Sequence, residues 1–141
     1  MRKMKKIAIL MTMIISLVGC SNLQEKPKDV PQNVSSSLEI SNVEYTLINI
    51  FPGQGLTVGF DEAGRIFGYS GLNRFFGKVE IKDGKMVVDP LASTRMGGSR
   101  EALIREDQYL TLLKSMTTIT KKENSLILSN EKGEQLIFQG K

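Results

Sequence analysis

Two hydrophobic rhythms divide the chain after about residue 40. Over 43–96 and again over 117–139, apolar residues come in short, partly alternating runs; between them, over 99–116, they recur at spacings of three, four and seven. A period of two marks a half-buried strand, and one near 3.6 marks a helix with one face on a core. Strands are therefore expected at 43–50, 56–60, 65–69, 78–82 and 85–89, the last continuing through 90–96, and then at 117–120, 125–129 and 135–139. Glycine-bearing segments separate them: Pro52-Gly53-Gln54-Gly55, Asp61-Glu62-Ala63-Gly64, Gly97-Gly98 and Asn130-Glu131-Lys132-Gly133. Asp83-Gly84 between two alternating runs is a strong signal for a two-residue hairpin.

The helical segment starts with Ser99 placed to cap it and Glu101 in the first turn, where the helix dipole favours acid. Ala102, Leu103, Tyr109, Leu110, Leu112, Leu113 and Met116 are assigned to its core side, and Arg105, Glu106, Lys114 and Ser115 to the other. The expected fold class is α+β: a curved, mostly antiparallel sheet with one amphipathic helix packed on one face or one end. The stretch 68–77 has three glycines and three aromatics in ten residues, with Asn73-Arg74 between them. It reads as a tight turn flanked by large core side chains.

The first nineteen residues form a leader. Arg2, Lys3, Lys5 and Lys6 precede an apolar run of about 12 residues, too short to span a bilayer as a helix, and Gly19-Cys20 follows. Leu17-Val18-Gly19-Cys20 resembles the bacterial lipobox, in which the cysteine is acylated and the chain is cut before it. Cleavage is thus expected between Gly19 and Cys20, with lipid on Cys20. A second acyl chain makes such an anchor stable where one alone is marginal. Residues 20–38, with two prolines, mixed charges and no apolar face, read as a flexible tether. Ser21, in place of an aspartate, favours the outer membrane if the host has one, and otherwise the outer face of the cytoplasmic membrane. Residues 39–141 form one small domain.

The leader also explains the charge. The chain carries 19 Lys+Arg and 15 Asp+Glu, a formal +4; loss of the leader removes four basic residues and leaves 15 of each. Nucleic-acid binding loses its electrostatic footprint.

The chain has no histidine, and its one cysteine is assigned to lipid. That excludes a Ser-His-Asp arrangement, a His-ligated metal and cysteine catalysis. Asp61/Glu62 and Glu106/Asp107 are adjacent carboxylates, read as solvated turn and helix-face charges rather than a catalytic pair. Neither calcium-loop nor phosphate-loop spacing occurs. No catalytic residue, metal or cofactor is expected. The polar residues of interest are Ser70, Asn73, Arg74, Thr94 and Arg95, as structural or ligand-contacting groups. Asn73 is expected to bond its local backbone in a turn. Arg74 and Arg95 are expected to pair with Asp89 or Glu101, or to lie over Phe75 or Tyr69.

Ser70-Gly71-Leu72-Asn73-Arg74-Phe75-Phe76-Gly77 resembles the SGCNRYxG segment of the META domain, the domain of HslJ-like heat-shock proteins. Pro90-Leu91-Ala92-Ser93-Thr94-Arg95-Met96 resembles that family's second, TxTRMAC-like signature, and the helix and closing strands are similar too. The resemblance implies a secreted or lipid-anchored bacterial envelope protein, with links to heat shock and antibiotic tolerance, and brings no catalytic residue with it. Many members have a cysteine in each signature; Leu72 and Gly98 occupy those places here. Leu72 is therefore expected to be buried close to Gly98. Three functions follow as alternatives: a non-catalytic envelope lipoprotein acting through a protein partner, a carboxylate-dependent hydrolase, and a binder of small ligands beside Arg74 and Arg95.

Overall fold

The computed structural model describes residues 39–141; the leader, the Gly19–Cys20 cleavage and lipidation site, and the tether lie outside the described residues. Eight strands and one helix lie wholly within the described residues, in order: β1 (Glu44–Leu47), β2 (Thr57–Phe60), β3 (Arg65–Tyr69), β4 (Arg74–Lys82), β5 (Lys85–Ser93), α1 (Arg100–Ser115), β6 (Thr118–Lys122), β7 (Ser125–Ser129) and β8 (Gln135–Gln139). Each strand pairs antiparallel with its neighbour, and β8 returns to β1, so the curved sheet closes into a barrel. The α+β arrangement read from the hydrophobic pattern is the one observed.

β4 and β5 are the long pair. Their hairpin turns on Asp83 and Gly84, both at positive φ (53° and 71°), with Lys82 opposite Lys85. This is the backbone that Asp-Gly favours, because its twist matches that of the flanking strands. β4 starts four residues earlier than expected, at Arg74, and pairs with β3 from Tyr69↔Arg74 to Arg65↔Lys78. The turn uses only the residues around Gly71 (φ +87°), and the alternation resumes at once with Phe75 inward and Phe76 outward. A Cβ on Gly68, opposite Phe75, would strike the Thr57 carbonyl and the Phe75 ring, so the missing side chain is what lets that ring in. β5 runs through a cis Asp89–Pro90 bond and ends at Ser93, short of the expected Met96.

The seam between β5 and β6 is the shortest ladder in the barrel. It has one register pair, Lys85↔Thr118, and backbone bonds from Met86 N to Thr117 O and from Ile119 N to Gly84 O, each 2.9 Å. Helix α1 connects these two strands and packs against β5. Its N-cap is Ser99, whose Oγ accepts from Ala102 N at 3.2 Å. Tyr109, Leu113 and Met116 form its buried stripe and join Phe60, Phe75 and Phe138 in the core. The Tyr109 ring meets Phe75 edge-on at 5.8 Å, and its hydroxyl donates to Thr57 O at 2.9 Å. Each such buried side chain contributes roughly 1.5–3 kcal/mol of burial free energy.

Two helix assignments change. Glu106, expected on the solvent side, is 8% exposed, while Leu103, expected on the core side, is 47% exposed. The stripe is set by Tyr109, Leu113 and Met116, at spacings of four and three. Extended back one turn it reaches Glu106 and Ala102, which leaves Leu103 and Ile104 facing outward.

Candidate functional site

The two sequence signatures meet where β3 turns into β4 and β5 runs on to the helix. Ser70, fully buried, builds the turn. Its N donates to Asn73 O at 2.9 Å, and its Oγ accepts from Asn73 N at 2.9 Å and from Leu72 N at 3.4 Å while donating to Asn73 O at 3.0 Å. Gly71 supplies the left-handed residue this turn requires. Because Ser70 satisfies the local backbone, the Asn73 side chain is free to reach elsewhere.

Asn73 does so, contrary to the expectation of a local turn bond. Its Oδ1 accepts from Met96 N at 2.7 Å and from Thr94 Oγ1 at 3.1 Å. Its Nδ2 donates to Glu106 Oε2 at 2.8 Å and to Met96 O at 3.4 Å. The orientation of the amide follows from its neighbours, since a backbone N–H can only donate and a carboxylate oxygen can only accept. Thr94 N still donates to Arg74 O at 2.9 Å, as a strand residue would. The next rung is then supplied by the Asn73 side chain, which is why β5 stops being a strand before Met96. One amide thus ties together the first signature, the second signature and the helix.

The five residues of interest do not form one cluster. Ser70, Asn73 and Thr94 come together. Arg74 is exposed and pairs with Glu44, not with Asp89 or Glu101, its Nη1 lying 3.2 Å from Glu44 Oε1. Glu44 also accepts from Thr57 Oγ1 at 2.5 Å. At this exposure the pair contributes at most about 1 kcal/mol. Arg95 is exposed and has no ion pair among the described residues. Leu72 is half-buried rather than buried, but it does lie against Gly98: a Cβ on Gly98 would sit 2.6 Å from Leu72 Cδ1.

Sequence reasoning missed Glu106 and Arg105. Glu106 is buried, with Oε2 held by Asn73; among the described residues its Oε1 has no hydrogen-bond partner, and neither does the buried Arg105 Nε beside Gly71. The available signal was the spacing of Glu106 from Tyr109 and Leu113, which puts it on the buried stripe. The adjacent carboxylates separate chemically. Asp107 is exposed beside buried Glu106. Asp61 serves its turn, accepting from Ala63 N at 2.9 Å, Arg65 N at 3.0 Å and Arg65 Nε at 2.6 Å. Among the described residues no group of three or more acidic, histidine or cysteine side chains is placed to hold a metal ion.

Open surface lies elsewhere, on the outer face of β3, β4 and β5. Three shallow grooves of about 630, 390 and 360 Å³ share Arg65 in their walls, and the two smaller share Phe76. None of the three is lined by Ser70, Asn73, Arg74, Thr94 or Arg95. Phe76 is 56% exposed, and Val87, Met96, Leu103 and Ile104 are also large apolar side chains open to solvent.

Comparison with known proteins agrees with this architecture. The fold is similar to the NMR structure of a protein from Burkholderia xenovorans, at 22% identity and a TM-score of 0.60 over 77% of this chain and 88% of that one. It is also similar to the crystal structure of a DUF4847 family protein from Bacteroides vulgatus, at 12% identity and a TM-score of 0.56 over 74% and 96%. No curated protein matches the chain. The model of the META domain matches residues 37–141, which include both signatures, the Asn73 junction between them and every strand of the barrel, and the chain belongs to the META domain family.

Proposed function

We propose that this META-domain protein is a lipid-anchored envelope protein whose domain works as a non-catalytic binding module, supporting envelope integrity or stress tolerance through a protein partner. The observation that carries this reading is the use made of Asn73. The most distinctive polar side chain of the signatures commits its amide to Met96, Thr94 and Glu106, so it holds the fold, and it lines none of the grooves described among residues 39–141. The same region also leaves large apolar side chains exposed. Met96 is 65% exposed, and Leu103 and Ile104 on the helix about half, with Arg95, Arg100 and Asp107 among their neighbours in sequence. Exposed apolar groups rimmed by charge suit a protein contact. The anchor rests on the lipobox-like Leu17-Val18-Gly19-Cys20, with the outer membrane as the site where the host has one.

Metabolic labelling with a palmitate analogue tests the anchor: label is expected on the native protein and none on Cys20→Ala, and label surviving that substitution refutes it. Crosslinking in the native membrane tests the module. A reproducible adduct that Ile104→Asp abolishes is expected. No adduct, together with normal growth of a deletion strain under envelope stress, overturns the binding role.

A further inference from the structure

Among the large apolar side chains of helix α1, Leu103 and Ile104 are the exposed ones, on the side of the helix away from buried Tyr109. Arg100 stands three residues before Leu103, and Asp107 three residues after Ile104, so opposite charges bracket the apolar pair symmetrically. At about 3.6 residues per turn, positions seven apart share a face, and Arg100 and Asp107 lie in one row with the apolar pair between them. Both charged side chains are exposed, and neither has an ion pair among the described residues.

Neither charge is placed for the helix itself. Arg100 is the first residue of α1, where the positive end of the helix dipole disfavours a cation. Its helical neighbours at three and four residues are Leu103 and Ile104; those of Asp107 are Leu103, Ile104, Leu110 and Thr111. None can pair with it across a helix turn.

A row with a cation at one end, an anion at the other and apolar residues at its midpoint is complementary to its own inverse. Two copies of α1 laid antiparallel about a two-fold axis between positions 103 and 104 set Leu103 of each against Ile104 of the other, and Arg100 of each against Asp107 of the other. That arrangement forms two ion pairs and covers both apolar side chains. A parallel pair would set Arg100 on Arg100 and Asp107 on Asp107. A pair shifted to centre on 110 and 111 would match Asp107 with Lys114, but it would bring half-buried Leu110 and polar Thr111 to the middle and leave Leu103 and Ile104 uncovered.

We infer that the partner of this face is a second copy of the chain, bound through antiparallel α1 helices centred on Leu103 and Ile104. The inference rests on the protein-binding reading above and names its partner. One helix pair covers less than a standard interface of about 1,600 Å², so the association is weak in dilute solution and is read by cross-linking in the cells that make the protein.

Ile104→Cys, next to the axis, should give a disulfide-linked species of twice the monomer mass when the full chain is mildly oxidised in those cells. The chain with Cys20 as its one cysteine is the control. Thr111→Cys should not cross-link, because at 1.5 Å per residue its two copies stand about 22 Å apart along the helices, beyond the reach of a disulfide. Within the Ile104→Cys chain, Arg100→Asp and Asp107→Arg should each lower the cross-linked fraction about tenfold by setting like charges face to face, and the two together should restore it. Arg100→Asp suits the start of a helix, so its loss of cross-linking should come without loss of stability. No species of twice the monomer mass from Ile104→Cys overturns the pair. So does cross-linking that ignores the charge reversals, or that Thr111→Cys gives equally. An adduct of another mass that Ile104→Asp abolishes keeps the binding module and overturns the second copy. No adduct of any mass, with normal growth of a deletion strain under envelope stress, overturns both.

Discussion

Asn73 uses both lone pairs and both N–H groups of its amide on other segments, and for Met96 N and Glu106 Oε2 it is the partner shown among the described residues. Asn73→Ala would leave Met96 N and one Glu106 oxygen unpaired while Thr94 turns to the Arg74 carbonyl, 3.4 Å away. A buried polar group left without a partner costs about 1–3 kcal/mol, so the variant is expected to lose about 2–4 kcal/mol. The urea midpoint should fall with the slope unchanged; an unshifted midpoint would return Asn73 to the ligand-contacting role. Glu106 gives the complementary test. In Glu106→Gln the amide oxygen still accepts from Asn73 and the unpartnered carboxyl oxygen is gone, so stability should stay within about 1 kcal/mol of the native protein. Glu106→Ala, which strands Asn73 Nδ2, should cost about 2 kcal/mol or more. An asparagine among glycines was legible as a special backbone position. Its partners were not, because they lie 23 and 33 residues away and nothing local marks them. Polarity alone puts Glu106 on the solvent side, whereas its spacing of three from Tyr109 carries it onto the buried stripe with Leu113 and Met116.

At the scale of elements, the segment from Met96 to Ser99 is held to the β3–β4 turn by Asn73 and by the contact between Leu72 and Gly98. A cysteine pair at these two positions, as the family resemblance implies for other members, joins the same two segments. Leu72→Cys combined with Gly98→Cys is therefore expected to cross-link under oxidation, with higher mobility on a non-reducing gel. The bond should raise stability by about 2–4 kcal/mol relative to the reduced protein. A pair that stays reduced under oxidant would show that the contact seen through Leu72 Cδ1 does not bring the backbones within reach. Most elements were legible because their signals are local: the Asp83-Gly84 turn, the Ser99 cap and the alternation of β3, β7 and β8 all hold. The errors fall where a long-range partner overrides a local pattern. β4 begins early because β3 pairs with it up to Arg74, and β5 ends early because a side chain replaces the next backbone rung. Closure of the barrel through β1 and β8 has no local signature at all.

For the whole molecule, the core contains a titrating group that couples stability to alkaline pH. Tyr109 has no exposed surface; its burial first, and the Glu44 carboxylate second, push the phenol well above its ordinary value. Tyr45 is displaced the same way, by burial and then Glu39. In the unfolded chain a tyrosine ionises near pH 10. Below that pH both states hold the proton and the full stability is present. Above it the unfolded chain releases protons that the folded one retains, so the unfolded state binds fewer and stability falls with rising pH, until the folded phenol itself ionises. Each such group steepens the decline by up to about 1.4 kcal/mol per pH unit. Tyr109→Phe separates this effect from everything else that titrates. Losing the hydroxyl bond to Thr57 O should cost about 1 kcal/mol at pH 7. Above pH 10 the stability curve of the variant should be shallower than that of the native protein, and the two should converge. Urea unfolding followed from pH 7 to 11 measures both, and parallel curves throughout would mean that the Tyr109 phenol titrates alike in the folded and unfolded chain.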